Sequence, residues 1–303
     1  MAEFFSECVK QIELRLGPSD SEIQEKLKYL SDGTKKSVIE DSFSIHGNFV
    51  ILEGLNTSVT EYIQLIKQYF ECSSISDITL FESRVAVTDA DIEYITSFAT
   101  KLKTIEIPAV PGTGITDKTA KILSEKCSKM QVIRFRGNCQ DLTDNTFQYI
   151  AKMPEITRIT CWSASQLTDQ ALFYVSQLNN LQEVKLTGDA LITDIGIGYL
   201  QNLQFLGSES KNYSEKGIEQ VAKRNANLQI LELKWAKLED KAIGHILTWN
   251  KHIHTIDFSS STPSGKCLFT APVPASLAKL VVKKGTTIAI PSRSICKVFW
   301  ANS

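Results

Sequence analysis

The sequence lacks paired cysteines, long apolar runs and net charge. Its seven cysteines are an odd number, lie far apart and form no Cys-x-x-Cys pair, which argues against a disulfide framework and a thiolate zinc site. No run approaches the roughly 18 to 20 apolar residues that cross a bilayer, and the first residues lack the basic-then-apolar order of a signal peptide. The net charge is −1, so no overall field attracts nucleic acid or an anionic membrane. We therefore expect a cytoplasmic chain with neither membrane insertion nor a nucleic-acid partner.

Motifs of catalysis and cofactor binding are also missing. The segments 112–114 and 196–198 hold Gly-x-Gly, but neither extends to a phosphate loop or a dinucleotide fingerprint, and there is no nucleophile elbow or zincin helix. His252 and His254 could share one strand face, with His245 a helix length before them, but no further ligand stands at a spacing typical of metal sites. The sequence predicts a protein that is not an enzyme and that holds no cofactor and no metal.

What the sequence does contain is a recurring Thr-Asp pair. The pair follows an aliphatic residue at 88–89, 116–117, 143–144, 168–169 and 193–194, and weaker copies stand at 214–215 and 239–240. The acidic residues are about 25 residues apart on average, and apolar residues three and six positions later share one face of a short helix. A Thr or Ser side chain caps a helix well, and an acidic residue in the first turn suits the helix dipole. The pair predicts one helix start per repeat.

About ten residues after each helix start comes an apolar pattern, L-x-x-L-x-L, whose last two members alternate with period two. Examples are Leu102, Ile105 and Ile107 in an early copy and Leu231 and Leu233 in a late one. Alternation of this kind predicts a short strand. One strand and one helix cannot bury their own apolar faces, but stacked copies share a continuous core. The sequence therefore predicts a solenoid of nine or ten units.

The unit, an aliphatic residue and Thr-Asp followed by L-x-x-L-x-L, resembles the cysteine-containing leucine-rich repeat of F-box substrate receptors and related proteins without an F-box. The clearest copies cover about 85 to 260. The resemblance implies an α/β fold, a right-handed horseshoe with parallel strands on the concave face and helices on the convex face, and we expect a monomer. The family's Cys or Asn after the strand is present only as Asn138, so we expect irregular loops.

The ends of the chain differ from the repeats. Apolar residues at helical spacing from Phe4 to Leu16, and a capping box at Ser19, predict an N-terminal helical cap over 1–45. The repeats are assigned to 46–260, beginning with a divergent copy made of a strand at 49–52 and a helix at 58–69. Residues 261–303 are predicted to be strand-rich repeats and a cap, with loops in place of helices.

The predicted concave face carries a basic and aromatic patch. The candidate partner-binding residues are Arg134, Arg136, Arg158, Trp162, Lys185, Phe205, Lys234 and Trp235. Trp, Phe and Arg are enriched at interface hot spots, which favours partner binding. The alternative interpretation is a solvated face on which Glu106, Glu183 and Glu232 neutralise the cations.

Three functions follow from this patch and from the resemblance. The first is a non-enzymatic interaction scaffold or adaptor whose concave face binds an acidic or amphipathic segment of a protein. The second is the substrate-recognition subunit of a ubiquitin ligase, as the resemblance implies, with a divergent F-box-like N-terminus in which Leu16-Gly17-Pro18 replaces the usual Leu-Pro opening. The third is a receptor for a small polyanion, because guanidinium groups suit phosphate.

Overall fold

The computed structural model describes residues 43–46, 49–53, 60, 75–81, 86–110, 112, 114–188, 191–234, 236–284 and 297–300. Strands and helices alternate along these ranges. The strands are β1 Phe43–His46, β2 Phe49–Glu53, β3 Asp77–Phe81, β4 Thr104–Ala109, β5 Val132–Gly137, β6 Arg158–Cys161, β7 Glu183–Leu186, β8 Phe205–Ser208, β9 Ile230–Leu233, β10 Thr255–Phe258, β11 Lys279–Val282 and β12 Lys297–Trp300. The helices are α1 Asp89–Thr96, α2 Asp117–Lys126, α3 Asp144–Ile150, α4 Asp169–Val175, α5 Asp194–Tyr199, α6 Glu215–Arg224, α7 Asp240–Trp249 and α8 Cys267–Thr270.

The strands form one twelve-stranded sheet in sequence order. From β2 to β12 neighbouring strands are parallel. From β3 to β11 each strand is joined to the next through a helix of the other layer, as a parallel pair requires. β1 is antiparallel to β2. Only Gly47 and Asn48 separate these two strands, which is enough for a hairpin and too little for a crossover.

The helices form the second layer, and consecutive helices contact each other from α1 to α8. Packed helices lie about 8 to 10 Å apart, whereas neighbouring strands lie about 4.8 Å apart. The strand side of such a stack is therefore the inner, concave side. The structure confirms the predicted α/β leucine-rich-repeat solenoid with strands on the concave face and helices on the convex face.

The core lies between the two layers and runs along the stack. The apolar residues at the centre of each strand stand in register and are buried: Ile105, Ile133, Ile159, Val184, Leu206, Leu231, Ile256 and Leu280. The inward positions of the helices, such as Ile92, Phe147 and Leu172, are buried against them. The strand and helix faces that the apolar spacing predicts are thus the faces that the structure buries.

The Thr-Asp pair begins the helices as predicted. Thr88, Thr116, Thr143, Thr168 and Thr193 are extended cap residues whose side chains accept a backbone N–H of the first turn. In the two weaker copies, α6 and α7 follow Ser214 and Glu239 without a side-chain cap bond.

The acidic residue of the pair has a second role, which the sequence analysis did not find: it joins one repeat to the next. The Asp117 carboxylate accepts the backbone N–H of Thr143 at 2.8 Å, the Thr143 hydroxyl at 2.7 Å and the Thr146 hydroxyl at 2.5 Å. Asp89, Asp144, Asp169 and Asp194 bind the next repeat in the same way. We call this row of carboxylates and hydroxyl groups the aspartate ladder.

The ends of the solenoid agree with the predictions only in part. The predicted strand at 49–52 is present as β2, and the segment 261–303, predicted to be rich in strands, contains β11 and β12. The predicted boundary between cap and repeats at 45–46 falls inside β1. Residues 1–42 of the helical cap, the helix at 58–69 except Thr60, and residues 285–296 lie outside the described residues. No helix in the described part of the chain is long and apolar enough to cross a bilayer.

One prediction for the C-terminal region is wrong, because a short helix, α8, stands where a loop was expected. Ser264 and Gly265 donate their backbone N–H groups to Asp240, and the Cys267 thiol donates to the same carboxylate. Ser264, Gly265 and Cys267 thus donate to Asp240 as the Thr residues donate to the aspartates of earlier repeats. The aspartate ladder is therefore present at Asp240 as well, and another helix begins there.

Candidate binding surface on the concave face

The predicted binding residues lie on the outward side of the strands, except Trp235, which lies outside the described residues. The register aligns Arg134 of β5 with Thr160 of β6, Lys185 of β7, Gly207 of β8 and Glu232 of β9. Alternate residues of a strand point to one side of a sheet, so these positions and those two residues before or after them share the concave face. We call the set Arg134, Arg136, Arg158, Trp162, Lys185, Phe205 and Lys234 the concave site.

A single buried carboxylate organises the arginines of β5. The Glu106 side chain is 8% exposed, and its Oε1 lies 2.6 Å from Nε of Arg136. Arg134 approaches the same carboxylate only at 3.8 Å. Burial lowers the pKa of Arg134, and the neighbouring Arg158 and Arg136 cations act in the same direction while Glu106 opposes them. Arg134 is therefore the cation of this cluster whose charge is least compensated.

The other cations of the concave site also have carboxylate partners. Arg158 Nη2 donates to Glu183 at 2.6 Å. Lys185 Nζ donates to Glu232 at 2.9 Å, and Lys234 Nζ lies 3.5 Å from Glu209. Five cations thus stand among four carboxylates, Glu106, Glu183, Glu209 and Glu232. The neutralising arrangement that the sequence left as an alternative is present, and each cation of the site has a carboxylate within 4 Å.

Two aromatic rings lie among these ion pairs. The guanidinium carbon of Arg136 is 5.1 Å from the centre of the Trp162 ring, and Lys185 Nζ is 5.5 Å from the centre of the Phe205 ring. Both distances are in the range of cation–π contacts. Trp162 is 37% exposed, which leaves part of a large apolar ring open to a partner.

Gly207 shapes the middle of the surface and was not recognised from the sequence as a functional position. A Cβ atom added there would stand 3.0 Å from Cε1 of Phe205 and 3.1 Å from Cγ of Lys185. The Lys185 side chain also passes over this strand to reach Glu232 on β9. Because a glycine weakens a strand interior, its presence is typical of a place where other groups approach closely. Here the groups are the Phe205 ring and the Lys185 stem.

The histidines do not form the metal cluster that their spacing allows. His254 Nδ1 contacts the Thr255 hydroxyl at 3.0 Å, whereas His245 lies on α7 with its Nε2 3.9 Å from Glu219. Within the described ranges, no group of three His, Cys, Asp or Glu side chains is arranged to hold a metal ion.

The described cysteines are free and buried. Burial raises the pKa of Cys127 to about 11, and burial together with the Asp240 carboxylate raises the pKa of Cys267 to about 12. Because the thiolate is the reactive form, these side chains fill the core and are poor nucleophiles.

No protein-family model and no curated protein matches the chain. Among solved structures, the chain is similar to an internalin, InlF, from Listeria monocytogenes str. 4b F2365, at 9% identity and a TM-score of 0.45, over 84% of this chain and 74% of the internalin. It is also similar to TLR13 in its complex with ssRNA13, at 11% identity and a TM-score of 0.49, over 78% of this chain and 35% of the TLR13 chain.

Proposed function

We propose that the protein is a non-enzymatic interaction scaffold or adaptor that binds a protein segment on its concave face. The observation that carries the proposal is the partly exposed ring of Trp162, in the middle of a face made of ion pairs. The guanidinium carbon of Arg136 lies 5.1 Å from the centre of this ring. A large aromatic ring in a rigid polar frame is typical of interface hot spots, because it buries much apolar area at little cost in side-chain entropy.

Of the two partner chemistries that the sequence leaves open, acidic or amphipathic, the ion pairs favour the amphipathic one. A purely acidic segment would compete with Glu106, Glu183, Glu209 and Glu232 for cations that these carboxylates already hold. The same competition disfavours a small polyanion as the ligand. A segment that places apolar side chains on the rings of Trp162 and Phe205 can leave these ion pairs in place, because its main contacts are with the rings.

The test is affinity purification from the native cell with three forms of the full chain. We expect partners of the wild type to be lost with Trp162→Ala and kept with Trp249→Ala. Trp249 is a matched control, since it is 46% exposed and has Lys223 Nζ at 5.4 Å from its ring, but lies on the convex helix α7. An unchanged set of partners with Trp162→Ala would overturn the proposal.

The ubiquitin-ligase alternative and the cysteine-containing subtype of the repeat stay predictions from the sequence. The N-terminal helices that would dock on a ligase adaptor lie outside the described residues. Binding of the full chain to such an adaptor, lost when residues 1–42 are removed, would support the ligase role.

A further inference from the structure

The guanidinium group of Arg134 has no hydrogen-bond acceptor among the described residues. The nearest carboxylate oxygen, Oε2 of Glu106, is 3.8 Å from its Nη1, which is too far for a hydrogen bond. The other oxygen of Glu106 lies 2.6 Å from Nε of Arg136. Both oxygens of Glu183 are bound by Arg158, at 2.6 Å from Nη2 and 2.5 Å from Nε. The two carboxylates that act on the charge of Arg134 are therefore bound by other guanidinium groups.

The ion pairs leave one positive charge of this cluster uncompensated. Glu106 alone faces the two guanidinium groups of Arg134 and Arg136. The remaining cations of the concave site are paired one to one with carboxylates: Arg158 with Glu183, Lys185 with Glu232, and Lys234 with Glu209. Asp257 is a further carboxylate on this face, but it lies on β10, five strands from Arg134. The excess charge is therefore local to Arg134 and its neighbour.

Thr160 provides a second unused polar group beside Arg134. It stands opposite Arg134 in the register of β5 and β6, and its side chain faces outward because its neighbours Ile159 and Cys161 are buried. Within the part of the chain that the structure describes, its hydroxyl group has no hydrogen-bond partner. On its other side, the Lys185 side chain reaches away from β6, across β8 to β9. The short side chain of Thr160 therefore leaves room beside Arg134 for a group of a partner.

A carboxylate is the acceptor that suits this place. A guanidinium group presents parallel N–H donors that match the two oxygens of a carboxylate, and a hydroxyl group can donate to either oxygen. The Arg134 side chain is only 25% exposed, and a hydrogen bond is stronger where water is partly excluded. A phosphate group carries close to two negative charges, so one of them would face the Glu106 and Glu183 carboxylates without a cation of its own.

The ring of Trp162 is close enough to Arg134 for one segment to contact both. The two residues are linked through Glu106 and Arg136, by successive contacts of 3.8, 2.6 and 5.1 Å. An acidic residue and a nearby apolar residue of a partner can therefore reach the guanidinium group and the ring together. This requirement concerns the chemistry of the segment and is independent of its secondary structure.

From these contacts we infer that Arg134 selects the partner of the concave site by binding the side-chain carboxylate of one Asp or Glu residue. The Thr160 hydroxyl group donates to the same carboxylate, and an apolar side chain of the same segment packs on Trp162. The ion pairs of the other cations stay in place. This inference deepens the proposed function and rests on it, and it makes Arg134 a residue that determines specificity.

The test begins with random twelve-residue peptides displayed inside a carrier protein, so that neither end of the peptide is free. Peptides are selected on the full-length wild type and counter-selected on Trp162→Ala, which discards those that bind elsewhere. We expect the surviving peptides to be enriched in Asp or Glu. The same selection on Arg134→Glu should instead enrich Lys or Arg. Lys129→Glu is the control, because it makes a similar charge change at an exposed residue in the turn before β5 and should keep the acidic preference.

A double-mutant cycle with one selected peptide measures the contact itself. Replacing the acidic residue of the peptide by its amide should weaken binding to the wild type about tenfold or more, as the loss of a hydrogen bond between charged groups does. The same replacement should change the affinity for Arg134→Gln by about twofold at most, and Thr160→Val should also reduce its effect. With Lys129→Gln the loss should be as large as with the wild type. Isothermal titration calorimetry measures these affinities on full-length variants whose circular dichroism matches that of the wild type.

Selection that yields no surviving peptide, or survivors without an acidic residue, would overturn the inference. A loss that is as large with Arg134→Gln as with the wild type would also overturn it. Binding only by peptides with a free C-terminus would do the same, because the main-chain carboxylate would then be the ligand. If cellular partners are lost with Trp162→Ala but kept with Arg134→Gln, the proposed function stands and only this inference fails.

Discussion

Removing one carboxylate from the aspartate ladder should destabilise the solenoid far more than removing a carboxylate from the same helix position outside the ladder. In Asp117→Ala, the Thr143 N–H, the Thr143 hydroxyl and the Thr146 hydroxyl lose their acceptor. Thr146 is fully buried, so its hydroxyl cannot turn to water. Glu215→Ala is the matched control, because Glu215 is the first-turn acid of α6 but the next cap residue, Glu239, has no hydroxyl group to donate to it.

The expected magnitude follows from the bonds that are lost. A hydrogen bond to a charged group contributes about 1.5 to 3 kcal/mol, and an unsatisfied buried hydroxyl costs about 1 to 3 kcal/mol. The three hydrogen bonds share one partly buried carboxylate, so their contributions to stability are not additive. We therefore expect Asp117→Ala to lower the free energy of unfolding by about 3 kcal/mol. Glu215→Ala loses only the helix-dipole interaction, about 0.3 to 1 kcal/mol.

Urea unfolding followed by far-ultraviolet circular dichroism measures both changes. Asp117→Asn adds a further check, since an amide oxygen still accepts one bond and we expect an intermediate loss. If Asp117→Ala and Glu215→Ala cost the same, the carboxylate acts only on its own helix and the ladder contributes nothing.

Three further predictions concern single positions. Gly137→Ala should lower the free energy of unfolding by at least about 2 kcal/mol, because Gly137 has a φ of +94° and an added Cβ would clash with the Ala109 carbonyl oxygen. Gly244→Ala in α7 should instead raise the free energy of unfolding by about 0.5 to 1 kcal/mol, and equal effects of the two changes in urea unfolding would refute this. Burial alone would raise the pKa of Asp240, but hydrogen bonds from Ser264, Gly265 and Cys267 outweigh it and lower that pKa below its ordinary value. The stabilisation by the Asp240 carboxylate should therefore be lost as the pH falls through the lowered pKa, and a wild type that unfolds with acid like Asp240→Asn would contradict this. Cys139 and Cys161 are buried, and a hydrogen bond with Cys139 together with burial raises the pKa of Cys161. Both side chains should therefore react with iodoacetamide only after unfolding, and their modification in the native protein, measured by peptide mass spectrometry, would contradict this.

The fold could be predicted from the sequence because it repeats. Each Thr-Asp pair and each L-x-x-L-x-L pattern is a local signal, and a local signal that recurs every 25 residues or so specifies both the elements and their stacking. The short helix α8 was missed because Ser264 and Gly265 stand where the five clearest repeats have Thr. The hairpin of β1 and β2 was missed because it belongs to no repeat.

The positions of the candidate residues on the concave face could be predicted, but their ion-pair partners within the protein could not. Alternation along the strands is enough to place Arg134, Arg158 and Lys185 on the concave face. Which carboxylate each cation contacts depends on side-chain direction and on gaps such as Gly207, across which Lys185 reaches Glu232 two strands away. Lys185 and Glu232 are 47 positions apart in the sequence. Their proximity follows only from the register of the complete sheet, which the sequence pattern does not show directly.

The ladder and the concave site are coupled through the stacking of the repeats. Asp117 begins the helix between β4 and β5, and its hydrogen-bond partners begin the helix between β5 and β6. The two repeats that it joins therefore carry Arg134 on β5 and Trp162 after β6. In a solenoid each repeat is positioned only by its neighbours, so loosening one junction changes the spacing of the strands on either side of it. The ring of Trp162 is held by Arg136 across this same junction, at 5.1 Å. The carboxylates on the helix side of the solenoid thus fix the strand spacing on which the proposed recognition at the concave face would depend.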